Sequence, residues 1–126
     1  MNLCNSDMTE QVARAASAFH KEQTGHAPSS VSVVLDNETL VITLHGALTQ
    51  AETALAMTPV GATQVQEFHS QLFANSSHSL REEIKRITGV EVRGATAEME
   101  TPSGALVQVF TTGTMVQVFL LASSVD

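Results

Sequence analysis

The stretch "LHGALTQAETAL", residues Leu44 to Leu55, decides how the chain is read. Leu44 closes an apolar alternation that runs back through Ile42 and Leu40, the period of a strand with one buried face. Thr49 and Glu52 stand three apart at the head of a helix-forming run, which is capping-box spacing. The threonine hydroxyl accepts from the backbone N–H of Glu52, and the glutamate reaches back to the N–H of Thr49. His45 and Gly46 fall at the bend between strand and helix. The stretch predicts a strand handing over to a short helix, Gln50 to Met57, which Thr58-Pro59-Val60-Gly61 then breaks. It also marks His45, Gly46, Thr49 and Glu52 as a candidate pocket for an anion or small ligand. Capping accounts for Thr49 and Glu52 without a ligand, and Glu52 would compete with an anion for the same N–H donors.

Before this stretch, Met8, Val12, Ala15, Ala16 and Phe19 recur at helical spacing, predicting a helix from Met8 to Gln23 with Ser6 or Asp7 as its cap and Thr24-Gly25 as its stop. Strands at Val31–Leu35 and Thr39–His45 flank Asp36-Asn37-Glu38 and form a hairpin. After it, Val65, Phe68, Leu72, Ser76, Leu80, Ile84 and Ile87 step by three or four through the polar run Asn75–Ser79. Unbroken phase predicts one long helix, Ala62 to Thr88, ended by Gly89 at the C′ position. Val90–Glu98 reads as a strand and Pro102-Ser103-Gly104 as a turn. "ALVQVF" and "MVQVFL" then flank "TTGT" as a second hairpin.

The order α-β-β-α-α-β-β-β implies an α+β fold: two layers, a largely antiparallel sheet of about five strands with the helices on one face. The whole chain, 1–126, reads as a single domain with 1–7 and 122–126 as flexible tails. The last two strands are apolar on both faces, yet the helices cover only one. With a two-residue loop at Thr112-Gly113, Leu106, Gln108 and Phe110 fall opposite Phe119, Gln117 and Met115. These six residues are the expected contact face of a homo-oligomer, most simply a dimer.

Composition excludes several functions. A net charge of −7 repels nucleic acid and anionic lipid surfaces. Cys4 is the only cysteine, so there is no disulfide framework or thiolate metal cluster, which suits a reducing, cytoplasmic setting. The start lacks signal-peptide character, and no run approaches a membrane span. His20, His26, His45, His69 and His78 show no metal-ligand spacing, so no metal is expected. No nucleophile elbow, phosphate loop or cofactor fingerprint is present, and the chain is read as a non-enzyme without cofactors. Arg81, Lys85 and Arg86 gather half of the six basic residues on two helical turns. They suit the negative end of the helix dipole and are a candidate docking patch for an acidic partner.

In order and spacing, "EQTGHAP", "LVITLHGALTQAE", "LREEIKRITGVEV" and "ETPSG…VQVFL" resemble the MpsC-like family, over Thr9 to Leu121. Gly46, Leu48, Thr49 and Glu52 match its most recognisable turn. The resemblance implies an association with a Na+-translocating, membrane-potential-generating system and supplies no catalytic residue with a defined role. With no membrane span, the chain is expected to serve such a system as a soluble accessory or regulatory domain, possible partners being a transporter subunit and a second copy of itself. The alternative is a small-ligand sensor built on the Gly46–Glu52 turn.

Overall fold

The computed structural model describes residues 5–94, 105–109 and 113–125. Its elements are α1 (Asn5–Thr24), β1 (Ser30–Asp36), β2 (Thr39–His45), α2 (Gln50–Leu55), α3 (Pro59–Thr88), β3 (Val92–Gly94), β4 (Ala105–Val109) and β5 (Met115–Leu121). The fold is α+β, with an antiparallel sheet in the order β1-β2-β5-β3 and β4 also on β5. β3 pairs with Leu120 and Leu121, β4 with residues 115 to 119. Five strands therefore occupy four positions across the sheet, β3 and β4 lying end to end along one edge of β5.

Asn37, at φ 54°, turns β1 into β2, a left-handed conformation that asparagine tolerates better than most residues. The register runs from Asp36↔Thr39 to Ser30↔His45. Leu40, Ile42 and Leu44 of β2 and Met115, Phe119 and Leu121 of β5 are buried under α1 and α3. Met8, Val12 and Ala16 of α1, Val65, Phe73, Leu80, Ile84 and Ile87 of α3, and Ala47, Leu48, Ala56 and Val92 join them in the core. The Phe73 and Phe119 rings pack at 5.6 Å.

α3 is one continuous helix of 30 residues, as its phase implies, ending at Gly89 in the left-handed conformation. It starts three residues before the expected Ala62, because Thr58-Pro59 initiates it. The Thr58 hydroxyl accepts from Gly61 N–H, and Pro59 takes the first turn, where no N–H is needed. The buried stripe also differs from the expected one. It passes through His69, Phe73 and Ser77, whereas Phe68 is 51% exposed. The side chain of Ser76 lies outside those described.

α1 begins at Asn5, so Ser6 and Asp7 are helical and do not cap it. After β5, Ala122 N–H bonds the Glu91 carbonyl and Val125 packs on the core. The expected Pro102-Ser103-Gly104 turn, the part of the expected strand beyond Gly94, and Cys4 lie outside the described residues.

The final hairpin corrects the expected contact face. Val107 pairs with Gln117, Val109 with Met115 and Ala105 with Phe119, one residue out of the expected register. A one-residue slip exchanges the faces of a strand. Leu106 and Gln108 accordingly stand opposite Val118 and Val116, and Phe110 lies outside the described residues. Met115, Gln117 and Phe119 are buried within the chain's own core and are closed to a partner. The second face of the sheet carries instead Val34, 60% exposed, and the half-buried Val41, Val116, Val118 and Leu120. Val34, Val41, Val118 and Leu106 are successive cross-strand partners across all four positions.

Candidate functional site

The turn after β2 is fastened by three consecutive carbonyls, each reached from the α1–β1 side. The His45 carbonyl accepts from Ser29 N–H (2.8 Å) and from its hydroxyl (3.0 Å). The Gly46 carbonyl meets His26 Nε2 at 2.9 Å, and the Ala47 carbonyl meets His20 Nε2 at 2.8 Å. Ala47 N–H donates to the Gly113 carbonyl at 2.7 Å, which ties the same turn to the start of β5. Gly46 has φ +61°, and a Cβ there would lie 2.6 Å from the Ser29 hydroxyl. Both conformation and space therefore require glycine.

Thr49 and Glu52 form the expected capping box. Thr49 Oγ1 accepts from Glu52 N–H at 3.1 Å, and Glu52 Oε1 accepts from Thr49 N–H at 3.0 Å. The other carboxylate oxygen, Oε2, bonds His69 Nε2 from α3. His69 is 2% exposed, and its ring lies parallel to that of His20 with centroids 6.0 Å apart. Residues of α1, the turn, α2 and α3 thus converge on one buried polar cluster. Burial raises the Glu52 pKa, but the Thr49 N–H and the His69 imidazole outweigh it and hold the carboxyl below its ordinary value. For His20 burial is the dominant influence and lowers the pKa, against its hydrogen bond to Ala47.

Beside this cluster a cavity of about 10 Å³ is lined by His20, Thr24, His69, Phe73, Met115 and Gln117, with Gln23 and Leu72. Gln117 is 8% exposed. Its Nε2 donates to Met115 Sδ at 3.7 Å, while Oε1 is buried with no hydrogen-bond partner among the described residues.

Of the expected pocket, Thr49 and Glu52 meet at the cap and Gly46 shapes the bend. His45 is exposed on the second face of β2, with Nε2 3.5 Å from the Ser32 hydroxyl. The histidine that joins Glu52 is His69, with His20 beside it. Sequence spacing did not reveal them, because a polar residue in an apolar stripe reads as a gap. The signal available was that the α3 phase at position 69 points inward, at four residues from both Val65 and Phe73. The expected docking patch is engaged within the chain: Arg81 with the Val92 carbonyl (3.2 Å), Lys85 with Glu91 (2.6 Å), and Arg86 with Glu83.

The family model described as "Na+-translocating membrane potential-generating system (MpsC)" matches residues 5–114. The chain belongs to the MpsC family. It is similar to the uncharacterized protein YbcI of Bacillus subtilis (strain 168), 22% identical over 110 residues that cover 87% of this chain and 89% of YbcI. No solved structure matches it. Among the described residues of this MpsC-family chain, no helix is long and apolar enough to cross a membrane, and no group of three His, Cys, Asp or Glu side chains is placed to hold a metal ion.

Proposed function

We propose that this MpsC-family chain is a non-enzymatic accessory or regulatory domain that works through assembly: with a second copy of itself, and through that dimer with the membrane system that names its family. The apolar second face of the sheet carries this reading. An antiparallel sheet normally shows water a polar outer face. Here Val34, Val41, Val116, Val118 and Leu120 form an apolar strip bordered by Ser32, Thr39, Thr43 and His45. Two such faces stacked about 10 Å apart would make a sandwich core. Contact with the membrane system falls to the α2–α3 corner, where Leu55, Met57, Val60 and Phe68 are exposed and no charged residue occurs from Thr53 to Gln66. Depletion of charge with enrichment of Met and Phe is the composition of interface cores.

The polar cluster supports the non-enzymatic reading, because its titratable groups hold the turn in place. An anion pocket at Gly46–Glu52 is disfavoured by the same contacts, since the cap already uses the N–H groups of Thr49 and Glu52. The test is a pair of neighbouring substitutions on β5. Val118→Glu should leave a folded monomer, whereas Phe119→Glu should prevent folding. A Val118→Glu variant with the same mass in solution as the wild type would remove the second face from the account.

A further inference from the structure

Among the described residues, the strands place one acidic and one basic residue on the second face of the sheet, at opposite edges of the same end. Along β1, Val31, Val33 and Leu35 pack on the core, so Ser30, Ser32, Val34 and Asp36 point the other way. On β3, Val92 is buried and pairs with Leu121, while Gly94 pairs with Leu120. Arg93 is therefore the extra residue of a register shift, with Leu120 opposite, and it is exposed. Asp36, Thr39, Leu120 and Gly94 are successive partners across the sheet. Asp36 thus stands at the β1 edge and Arg93 at the β3 edge of one row, three strand spacings or about 14 Å apart. Neither has an ion pair among the described residues, whereas Glu91 beside Arg93 is held by Lys85.

We propose that two copies stack these faces about a two-fold axis running along the strands between β2 and β5, so that Asp36 of each copy meets the partner's Arg93. The inference rests on the assembly reading above and adds its geometry. In a two-fold contact, residue i meets j and j meets i. An axis along the strands keeps every row and exchanges the edges. β1 then lies over the partner's β3, and Val41 over the partner's Val118, so the apolar strip falls on itself between two ion pairs. Sheets stacked this way lie about 10 Å apart with strands within about 30° of parallel, a gap that a long arginine and an aspartate span together. An axis across the strands would lay each strand over its own copy. Asp36 and Arg93, on different strands, would then never meet, and both charges would be left unpaired.

The experiment is sedimentation equilibrium of the full chain at about 0.1 M salt or below, where surface charges still act over short range. It compares the wild type, Asp36→Arg, Arg93→Asp and an equimolar mixture of the two variants. Both positions are exposed, so each variant should keep the wild-type circular dichroism. Asp36→Arg alone sets arginine against arginine twice in a dimer, and Arg93→Asp sets aspartate against aspartate. Each should dimerise roughly tenfold or more weakly than the wild type, because like charges opposed across an interface repel. In the mixture both pairs are again opposite in sign, so a heterodimer should form at close to wild-type affinity. A dimeric wild type with neither variant weakened would overturn this docking and leave the assembly reading in place. A mixture that associates no more tightly than the variants alone would do the same. A wild type that stays a monomer throughout would overturn the assembly reading, and this docking with it.

Discussion

The buried His69 of α3 and the part-buried Glu52 of α2 form a hydrogen-bonded pair across 17 positions of sequence. Glu52 is thereby divided between two tasks: one carboxylate oxygen closes the capping box, and the other anchors α2 to α3. The two can be separated by mutation. Glutamine also closes capping boxes, so Glu52→Gln keeps the cap and loses the charge on the His69 side. It should cost about 1.5–3 kcal/mol, the range for a hydrogen bond to a charged group. Thr49→Ala should cost about 0.5–2 kcal/mol through the cap with the His69 contact intact. Urea unfolding of both variants measures this, and a Glu52→Gln variant as stable as the wild type would show that the pair is not holding the helices together.

Acid should weaken the fold in two steps. His20 has its pKa lowered from 6.5, mainly by burial, so the unfolded chain takes up that proton first as pH falls. Stability from this group is full above about pH 6.5 and is lost as pH drops from there toward the folded value. Glu52 has its pKa lowered from 4.5 against the effect of its own burial. Its contribution is present above the unfolded value and lost as pH falls through the folded one. His20→Gln should remove the upper step and leave the lower. Stability that stays level from about pH 7 to pH 5 in the wild type would contradict the placement of His20.

Gly61→Ala should be among the most damaging small substitutions. A Cβ there would lie 1.8 Å from the Leu55 carbonyl oxygen, a backbone atom that cannot yield without moving the end of α2. The expected cost is about 2–3 kcal/mol, that of overpacking a tight contact. Gly25→Ala meets open space but sits at φ +76°, and should cost about 1–2 kcal/mol from conformation alone. Equal melting temperatures for the two variants would mean that the α2–α3 corner is looser than the structure shows.

Local signals carried the fold well where they were self-contained. The capping box at Thr49 and Glu52, the Asn37 turn and the Gly89 stop each depend on neighbours in sequence, and the structure has all three. The phase of α3 also outweighed the poor helix propensity of Asn75–Ser79. What failed depended on partners distant in sequence. The register of β4 against β5 is one residue off the expected one, and an apolar pattern on both faces of each strand leaves it undetermined from sequence. His20, His69 and Gln117 are buried because each has a polar role in the packed state, which no apolar periodicity can announce.

The central claim is assembly through the second face of the sheet. The most direct measurement is static light scattering of the wild-type chain at micromolar concentration. The account predicts a species of twice the 13.4 kDa chain mass, reduced to a single chain by Val118→Glu with the melting transition retained. A wild-type protein at 13.4 kDa across that concentration range would contradict it, leaving the apolar face of Val34, Val41, Val116, Val118 and Leu120 without the partner proposed for it.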